Sequence, residues 1–281
     1  MRGLAIIAAC ILSLARAWSF PCVQAPQERE DRFAALDSMM VQYLSAIQGS
    51  GPEDKMRESD FMIGAAADTA VRRHVALKLF DHYKEAPVMG DEAVAIHIYD
   101  RWFASGDIKM RSEGDEMDAK LFADFNRNSL IGMKAPVISL RKPCGGRMTI
   151  PQEGSCAILW FHDTSCGKCK LEAKVLPSVL EKADFPIVFY AVYAGQSKKE
   201  WRIFRRNFRL ENKRIKLVHL WDPEIESDYL SLYGVISTPK LYMTAPDGRI
   251  IGRRLEPESL ARLLPIAARI AEHDNDNFKI R

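Results

Sequence analysis

The sequence has no hydrophobic run long enough to span a lipid bilayer, which takes about 20 apolar residues in a helix. Its first half also has no internal repeat, no low-complexity tract and no paired histidines at metal-site spacing, because His74, His82 and His97 are scattered. We expect neighbouring side chains, not a metal, to satisfy these histidines. With 281 residues, 47% of them hydrophobic, the chain can bury a sizeable core and hold two domains.

The first 19 residues follow the pattern of a secretory signal peptide. An apolar region at residues 4–14 follows a basic residue, and residues 15–17 (Ala-Arg-Ala) form an A-x-A cleavage site. We therefore expect a soluble mature protein in the periplasm or elsewhere outside the cytoplasm, without a transmembrane helix. Lipid attachment at Cys10 or Cys22 is the alternative, and the residues before each cysteine suit it poorly.

Cysteine is scarce, with six residues in the chain. Two of them, Cys166 and Cys169, form a Cys-x-x-Cys motif. For Cys144 and Cys156 two interpretations stay open. They form a disulfide across a short connection in an oxidising compartment, or they are a loop thiol and a small buried strand residue.

The two halves of the chain carry opposite net charge. Residues 18–134 contain 14 basic and 20 acidic residues, a net charge of −6, and residues 135–281 contain 24 basic and 17 acidic residues, a net charge of +7. The change of sign supports a domain boundary close to Pro136, so we expect domains at 20–131 and 132–281. Opposite charges also favour docking of one half on the other.

Apolar residues recur at helical spacing through the first half. The predicted helices cover residues 33–47, 59–83 with a break at Asp68, 94–106 and 115–130. No catalytic constellation accompanies them. The expected role of this helical domain is to bind a partner or to shield an active face.

The second half alternates strands and helices. Its predicted elements are an extended segment (135–140), strands (156–161, 187–193 and 216–220), helices (167–183, 197–210, 224–233 and 257–272), a hairpin (240–243 with 249–254) and a polar tail. This order indicates an α/β fold with a central mixed sheet, which has parallel pairs, one antiparallel edge and helices on both faces.

The Cys-x-x-Cys motif falls where a predicted buried strand ends and a helix begins. A thiolate there faces unpaired backbone N–H groups and the positive end of the helix dipole, so its pKa should fall. Cys166, at the exposed helix start, is the expected nucleophile, and Cys169, one turn inward, resolves the mixed disulfide. Their spacing allows a redox-active Cys166–Cys169 disulfide. Between them Gly167 keeps access open, and the cation of Lys168 favours the thiolate.

A structural disulfide and half of a zinc site are the other interpretations of this motif. A zinc site needs a second ligand pair, and only His162 lies near in the sequence. A structural disulfide does not require a helix start between a strand and a downstream Thr-Pro. We therefore expect a redox role, with no metal and no cofactor.

Four segments resemble the extracytoplasmic thioredoxin-like oxidoreductases of the TlpA/ResA type: APVISL, FHDTSCGKCKLE, GVISTPKLYM and PDGRII. The resemblance covers residues 132–270 and implies a thioredoxin-like fold. The first half resembles the helical domain of uncharacterised function that precedes thioredoxin domains in some secreted bacterial proteins. Ser165 stands where the family usually has an aromatic residue, and Pro177 lies later than the family's usual proline.

The resemblance also implies roles outside the motif. Glu172 corresponds to a partly buried acid that tunes the thiol pKa values and relays the proton of the buried Cys169. A solvated glutamate paired with a neighbouring lysine is the alternative. In such domains the peptide bond of Thr238-Pro239 is cis and lies against the dithiol, and the backbone of Thr238 pairs with an extended substrate chain.

Together these features predict a thiol–disulfide oxidoreductase. The resemblance alone implies that it reduces or isomerises protein disulfides and does not oxidise thiols. Its expected partners are substrate proteins with disulfides and an electron-donating thiol protein. A disulfide-forming oxidase and a non-catalytic partner-binding protein on a thioredoxin-like scaffold are the alternatives.

The basic cluster at 198–214 is interpreted as a solvated helix face, or secondarily as a contact for the acidic half. Nucleic-acid binding is not expected, since its aromatic residues have core-facing spacing.

Overall fold

A computed structural model describes residues 26–85 and 88–279, with side chains from residue 33 to residue 273 within those ranges. The predicted signal segment and Cys22 lie outside the described residues. The chain divides into two compact units, Met1–Ala123 and Asp124–Arg281. Across the described ranges, no helix combines the length and the apolar character that crossing a bilayer requires.

The first unit is helical, as predicted. Its helices are α1 (Pro26–Ala46), α2 (Pro52–Ala65), α3 (Thr69–Lys84), α4 (Glu92–Ile98), which continues as a π-helical turn (Tyr99–Phe103), and α5 (Glu113–Asn126). The carboxylate of Asp68 accepts hydrogen bonds from the backbone N–H groups of Ala70 (2.9 Å) and Val71 (3.0 Å). This cap starts α3 and explains the predicted break at Asp68.

Two of the scattered histidines of the first half are satisfied by carboxylates. His74 Nε2 lies 2.6 Å from Asp37 Oδ1, and His97 Nε2 lies 2.9 Å from Asp60 Oδ2. Each of these histidines therefore has a local carboxylate partner, as expected for satisfied side chains.

The second unit is built on a seven-stranded mixed sheet. Its strands are β1 (Ile138–Arg141), β2 (Arg147–Ile150), β3 (Cys156–His162), β4 (Ile187–Tyr193), β5 (Ile215–Trp221), β6 (Lys240–Thr244) and β7 (Ile250–Gly252). Its helices are α6 (Gly167–Leu180), α7 (Lys198–Asn207), α8 (Tyr229–Leu232) and α9 (Pro257–Lys279). The strand order is β2-β1-β5-β4-β3-β6-β7. Strands β3, β4 and β5 run parallel, and the remaining pairs are antiparallel.

Strand β3 lies in the middle of the core. All seven of its residues are buried, because alternate side chains enter cores on opposite faces of the sheet. Ile158 and Trp160 pack with side chains of α6 and α9 on one face, whereas Leu159 and Phe161 pack with the tyrosines of α8 and its flanks on the other. The predicted mixed sheet with helices, preceded by a helical region, is therefore confirmed.

The sequence pattern missed β2. This strand pairs with β1 as an antiparallel hairpin, with Ile138 opposite Ile150, so both edges of the sheet are antiparallel where one was expected. Only Ile150 is buried among the four residues of β2. The sequence of β2, Arg-Met-Thr-Ile, does alternate polar and apolar residues, but four residues are the shortest span over which alternation indicates a strand.

Several predicted helix bounds were wrong. Helix α2 begins at Pro52, where residue 59 was predicted. The helix expected at 224–233 is reduced to α8, because Ile225 (φ 57°) and Asp228 (φ 56°) adopt left-handed conformations that interrupt a helix. Helix α5 ends at Asn126 and a 3₁₀ turn follows. Conversely, α9 runs to Lys279 where a polar tail was expected from residue 273, since those residues contain no glycine or proline to stop it.

Candidate active site

The two motif cysteines lie at the start of α6. Cys166 is the N-cap residue, with extended backbone (φ −72°, ψ 122°), and its sulfur accepts a hydrogen bond from the backbone N–H of Cys169 at 3.1 Å. The first N–H groups of a helix have no hydrogen-bond partners inside the helix. The Cys166 sulfur accepts the hydrogen bond of one of them, a role that a side-chain oxygen usually has at this position. The helix dipole adds partial positive charge at the same position.

The two thiols have opposite environments. Burial by itself raises the pKa of the Cys166 thiol, but hydrogen bonds with Cys169, Thr238 and the backbone of Lys168 outweigh it, so this pKa lies below the ordinary cysteine value. Cys169 is only 2% exposed, and burial raises its pKa well above the ordinary value, although the backbone N–H of Asp163 donates to its sulfur at 3.5 Å. Both cysteines are free thiols.

A turn built by Asp163 connects β3 to the dithiol. Its Oδ1 accepts hydrogen bonds from the backbone N–H and the hydroxyl of Ser165, each at 2.7 Å. Aspartate commonly stabilises a tight turn by such a bond to the residue two positions on. Ser165 therefore has a local structural partner at the position directly before Cys166.

The two residues between the cysteines face solvent. A Cβ atom added at Gly167 meets no atom within 4 Å, so the approach to the dithiol is open at this position. The ammonium of Lys168 lies 2.7 Å from Glu256 Oε1, and this hydrogen bond raises the pKa of Lys168. Glu256 therefore offsets part of the positive charge that Lys168 brings to the dithiol.

Glu172 is buried beneath the start of α6, at 4% exposure. One carboxylate oxygen accepts a hydrogen bond from the indole N–H of Trp160 at 2.8 Å, and the other has no partner among the described residues. Burial raises the pKa of Glu172, and the bond from Trp160 opposes that effect. The side chain is thus not the solvated, lysine-paired glutamate of the alternative interpretation.

The loop before β6 reaches the dithiol from the far end of the chain. Strand β6 pairs antiparallel with β3, and Lys240 lies opposite Phe161, which places Thr238 and Pro239 beside the residues that follow β3. The backbone oxygen of Thr238 lies 3.3 Å from the Cys166 sulfur. The Thr238–Pro239 peptide bond is cis.

No disulfide joins Cys144 and Cys156. Cys144 is exposed in the turn between β1 and β2, and Cys156 begins β3 with its side chain in the core. This is the arrangement of the second interpretation, a loop thiol and a small buried strand residue.

Sequence reasoning missed Trp160 and treated His162 only as a possible zinc ligand. Both lie on the face of β3 that α6 covers, and their rings stack with centroids 4.4 Å apart. Burial lowers the pKa of His162 to about 3, so the imidazole is neutral near pH 7. The alternation of side chains along β3 could have identified both residues. Trp160 and His162 lie two and four positions after Ile158 and therefore share its face of the sheet.

The basic cluster follows the predicted pattern. Trp201 and Phe208 are buried, and Phe204 packs on His162 with ring centroids 4.2 Å apart. The cations of α7 lie mostly on its solvent side. These aromatic rings therefore belong to the core, as their spacing indicates.

Comparison with known proteins shows the fold of the chain. No protein-family model and no curated protein sequence matches it. A solved thioredoxin-like protein from Bacteroides caccae matches with a TM-score of 0.63 at 16% identity, covering 83% of this chain and 84% of that one. This coverage exceeds the second unit alone, so it includes residues of both units.

Two other solved structures match about half of the chain. The thioredoxin domain of a thiol-disulfide oxidoreductase from Bacteroides vulgatus has 18% identity and a TM-score of 0.42, covering 48% of this chain and 96% of that domain. A thiol:disulfide interchange protein from Bacteroides sp. has 18% identity and a TM-score of 0.42, covering 50% and 90%. The Bacteroides caccae match confirms, at the level of the fold, the resemblance to thioredoxin-like proteins.

Proposed function

We propose that this chain is a thiol–disulfide oxidoreductase that acts through Cys166 and Cys169. The observation that carries this proposal is the capping geometry, in which the Cys166 sulfur accepts the N–H of Cys169 at the start of α6. A thiolate at that position is stabilised by the helix start, and the thiolate is the form that attacks disulfides. The lowered pKa of Cys166 and the raised pKa of Cys169 support different roles for the two thiols.

In the first step, the Cys166 thiolate attacks one sulfur of a substrate disulfide. A Cys166–substrate disulfide forms, the substrate disulfide breaks, and the other substrate sulfur leaves as a thiolate that takes a proton from water. In the second step, Cys169 loses its proton and attacks the Cys166 sulfur. The Cys166–Cys169 disulfide forms, the second substrate thiolate leaves, and the substrate has gained two electrons from the dithiol.

The second step needs an acceptor for the proton of Cys169. Glu172 lies one helical turn after Cys169, and its unpartnered carboxylate oxygen suits that role. A carboxyl group with a raised pKa takes up and releases a proton closer to neutral pH than an exposed one. We assign to Glu172 the relay of this proton.

Substrate binding is assigned to the loop that ends at Thr238 and Pro239. The Thr238 backbone already lies against the Cys166 sulfur, so an extended peptide bound to this loop has its disulfide next to the nucleophile. Ile236, two residues before Thr238, is 68% exposed. An exposed apolar side chain there offers contact area to an unfolded or extended substrate.

We place this activity outside the cytoplasm, on the pattern of the first 19 residues, and assign it the reducing or isomerising direction. Its partners are then proteins with disulfides and a thiol protein that returns electrons to the Cys166–Cys169 disulfide. A reductase needs such a donor, because each turnover leaves its own dithiol oxidised.

Reduction of insulin disulfides by the full chain tests the activity. We expect turnover with dithiothreitol as donor and loss of turnover in Cys166→Ser. When dithiothreitol is left out, Cys169→Ser should accumulate a Cys166–insulin mixed disulfide. Cys144→Ser is the matched control and should retain full activity, because Cys144 lies in a distant turn. Undiminished insulin reduction by Cys166→Ser would contradict the proposal.

Equilibration of the dithiol with glutathione buffers tests the direction. A reductase has a potential in the range of thioredoxin, about −270 mV, whereas a strong disulfide-forming oxidase lies near about −120 mV. A reduction potential close to that of the oxidase would indicate that the protein forms disulfides and does not reduce them. The proposed exchange chemistry of Cys166 would still hold.

A further inference from the structure

A cleft of about 600 Å³ lies between α6 and α7, behind the dithiol. Cys169 lines it, whereas Cys166 and Thr238 are not among its lining residues. The cleft is therefore separate from the surface on which Cys166 meets the Thr238 loop. Its volume falls within the range of small-molecule sites, roughly 300–1,000 Å³.

The middle of the cleft is apolar and includes flat rings. Its walls are formed by Ala173 and Pro177 of α6 and by Ile203, Phe204 and Phe208 of α7 and its end. The rings of Phe204 and Phe208 are stacked, with centroids 5.2 Å apart and planes 16° apart. Apolar walls with aromatic rings can pack against the flat, apolar part of a ligand.

Cations line the cleft on α6 and just after the end of α7. Lys170 and Lys174, four residues apart on α6, face it together with Arg209. Neither lysine is paired with a carboxylate in the described part of the chain, and Arg209 donates to the backbone oxygens of Arg205 and Phe208. Within the described ranges, these cations therefore have no ion-paired carboxylate and remain available to an anion.

The two acids of the cleft lie at its dithiol end and are already engaged. Asp163 accepts both hydrogen bonds of Ser165, and Glu200 accepts the hydroxyl of Thr164. With Lys170, Lys174 and Arg209 set against these two acids, the lining carries net positive charge.

A buried polar group in the same lining lacks a partner. His162 is 1% exposed, and its Nε2 has no hydrogen bond among the described residues. A buried polar atom without a partner costs free energy, and a hydrogen bond to a bound molecule would offset that cost. The neutral imidazole can donate or accept one hydrogen bond.

We propose that this cleft is a binding site for a small organic anion with a flat ring, an aromatic carboxylate. The ring lies between Ile203 and the Phe204–Phe208 pair, and the carboxylate lies towards Lys170 and Lys174. The occupant contacts Cys169 from the side that Cys166 does not line. Binding at this site requires neither disulfide exchange nor electron transfer.

Isothermal titration calorimetry of the full chain with 2-naphthoate tests the proposal. We expect binding with a Kd below about 1 mM and at least about fivefold weaker binding of uncharged 2-naphthalenemethanol, which has the same rings. Absence of naphthoate binding at millimolar concentration, or equal affinity for the two compounds, would overturn the proposal.

Two variant pairs locate the site. Lys170→Glu combined with Lys174→Glu should weaken naphthoate binding at least about fivefold, since two attractive charges become repulsive. Lys182→Glu, a reversal on an exposed lysine outside the cleft, should have little effect. Equal losses from both would place the effect in overall charge and overturn the assignment.

Ile203→Trp should fill the cleft and abolish binding, because Ile203 is 41% exposed and a larger ring there is accommodated without disturbing the core. Ile266→Trp on α9 is the matched control, at 52% exposure and outside the cleft. Circular dichroism checks that both variants fold. Unchanged naphthoate binding by folded Ile203→Trp would contradict the location.

Discussion

Trp160 donates its indole N–H to one carboxylate oxygen of Glu172 at 2.8 Å, in the interior of the second unit. Trp160 belongs to β3, before the dithiol, and Glu172 belongs to α6, after it. The bond therefore links the strand that precedes the dithiol to the helix that begins at it. The other carboxylate oxygen of Glu172 has no partner in the described structure. Burial raises the pKa of this carboxyl group.

Glu172→Gln should change the pH dependence of stability. Because the pKa of Glu172 is raised in the folded protein, folding favours its protonated form. The cost of ionising the buried group is absent below the ordinary glutamate value and grows as pH rises through the folded pKa. Glutamine keeps a carbonyl for Trp160 and cannot ionise, so it should gain stability relative to wild type as pH rises. Urea unfolding across the acid range measures this gap, and a gap constant with pH would contradict the buried acid.

Cys166 should react with iodoacetamide faster than Cys169, by at least about tenfold at pH 7, because only the thiolate reacts. The alkylation rate of Cys166 should rise at a lower pH than the alkylation rate of an ordinary cysteine, because the pKa of Cys166 is lowered. Burial and a raised pKa keep Cys169 slow. Mass spectrometry of Cys169→Ser and Cys166→Ser, each in a Cys144→Ser background, locates the adducts. Equal rates would refute the asymmetry.

The Lys168–Glu256 pair should tune the Cys166 pKa in opposite directions when either partner is changed. Removing the cation in Lys168→Met should raise this pKa. Removing the carboxylate in Glu256→Gln should lower it, because the ammonium then acts on the thiolate without a competing charge. The pH midpoint of alkylation measures both shifts, with Lys182→Met as the control on an exposed lysine. Shifts of the same sign in the two variants would exclude this coupling.

The first unit contains a buried ion pair that should dominate its response to mutation. Lys55 Nζ lies 2.7 and 2.8 Å from the two carboxylate oxygens of Asp91, with both side chains at least 95% buried. Lys55→Met leaves the Asp91 charge buried alone and should cost about 3–5 kcal/mol. The double variant with Asp91→Leu should recover most of that loss.

The control for this ion pair lies on the same helix. Arg57 forms an exposed ion pair with Asp54, so Arg57→Met should cost less than about 1 kcal/mol. Urea unfolding of the full chain, followed through the transition of the helical unit, gives the free energies. A Lys55→Met cost similar to that of Arg57→Met would show that the buried pair is not energetically distinct.

The alternation of strands and helices was predictable because the central strands are continuous apolar runs. β3 and β4 are buried almost throughout, and such strands stand out from flanking polar residues. Asp68 was predictable as a helix cap because its residue type and position agree. β2 was not, since only Ile150 of that edge strand is buried.

The side chains of the dithiol were predictable from spacing, but their surroundings were not. The partner of Glu172 is Trp160, twelve residues earlier, and that pairing depends on how α6 packs on β3. The cleft beside Cys169 likewise depends on the packing of α7, whose Phe204 and Phe208 are far from the motif in sequence. Tertiary contacts of this kind leave no local pattern in the chain.

The most direct test of the account identifies the sulfur that joins a substrate. A peptide with a single disulfide is incubated with Cys169→Ser and with Cys166→Ser, and the adduct is located by mass spectrometry. The account predicts a mixed disulfide on Cys166 in Cys169→Ser and no comparable adduct in Cys166→Ser, because only Cys166 combines access with a lowered pKa. An adduct formed first on Cys169, or none on Cys166, would contradict it.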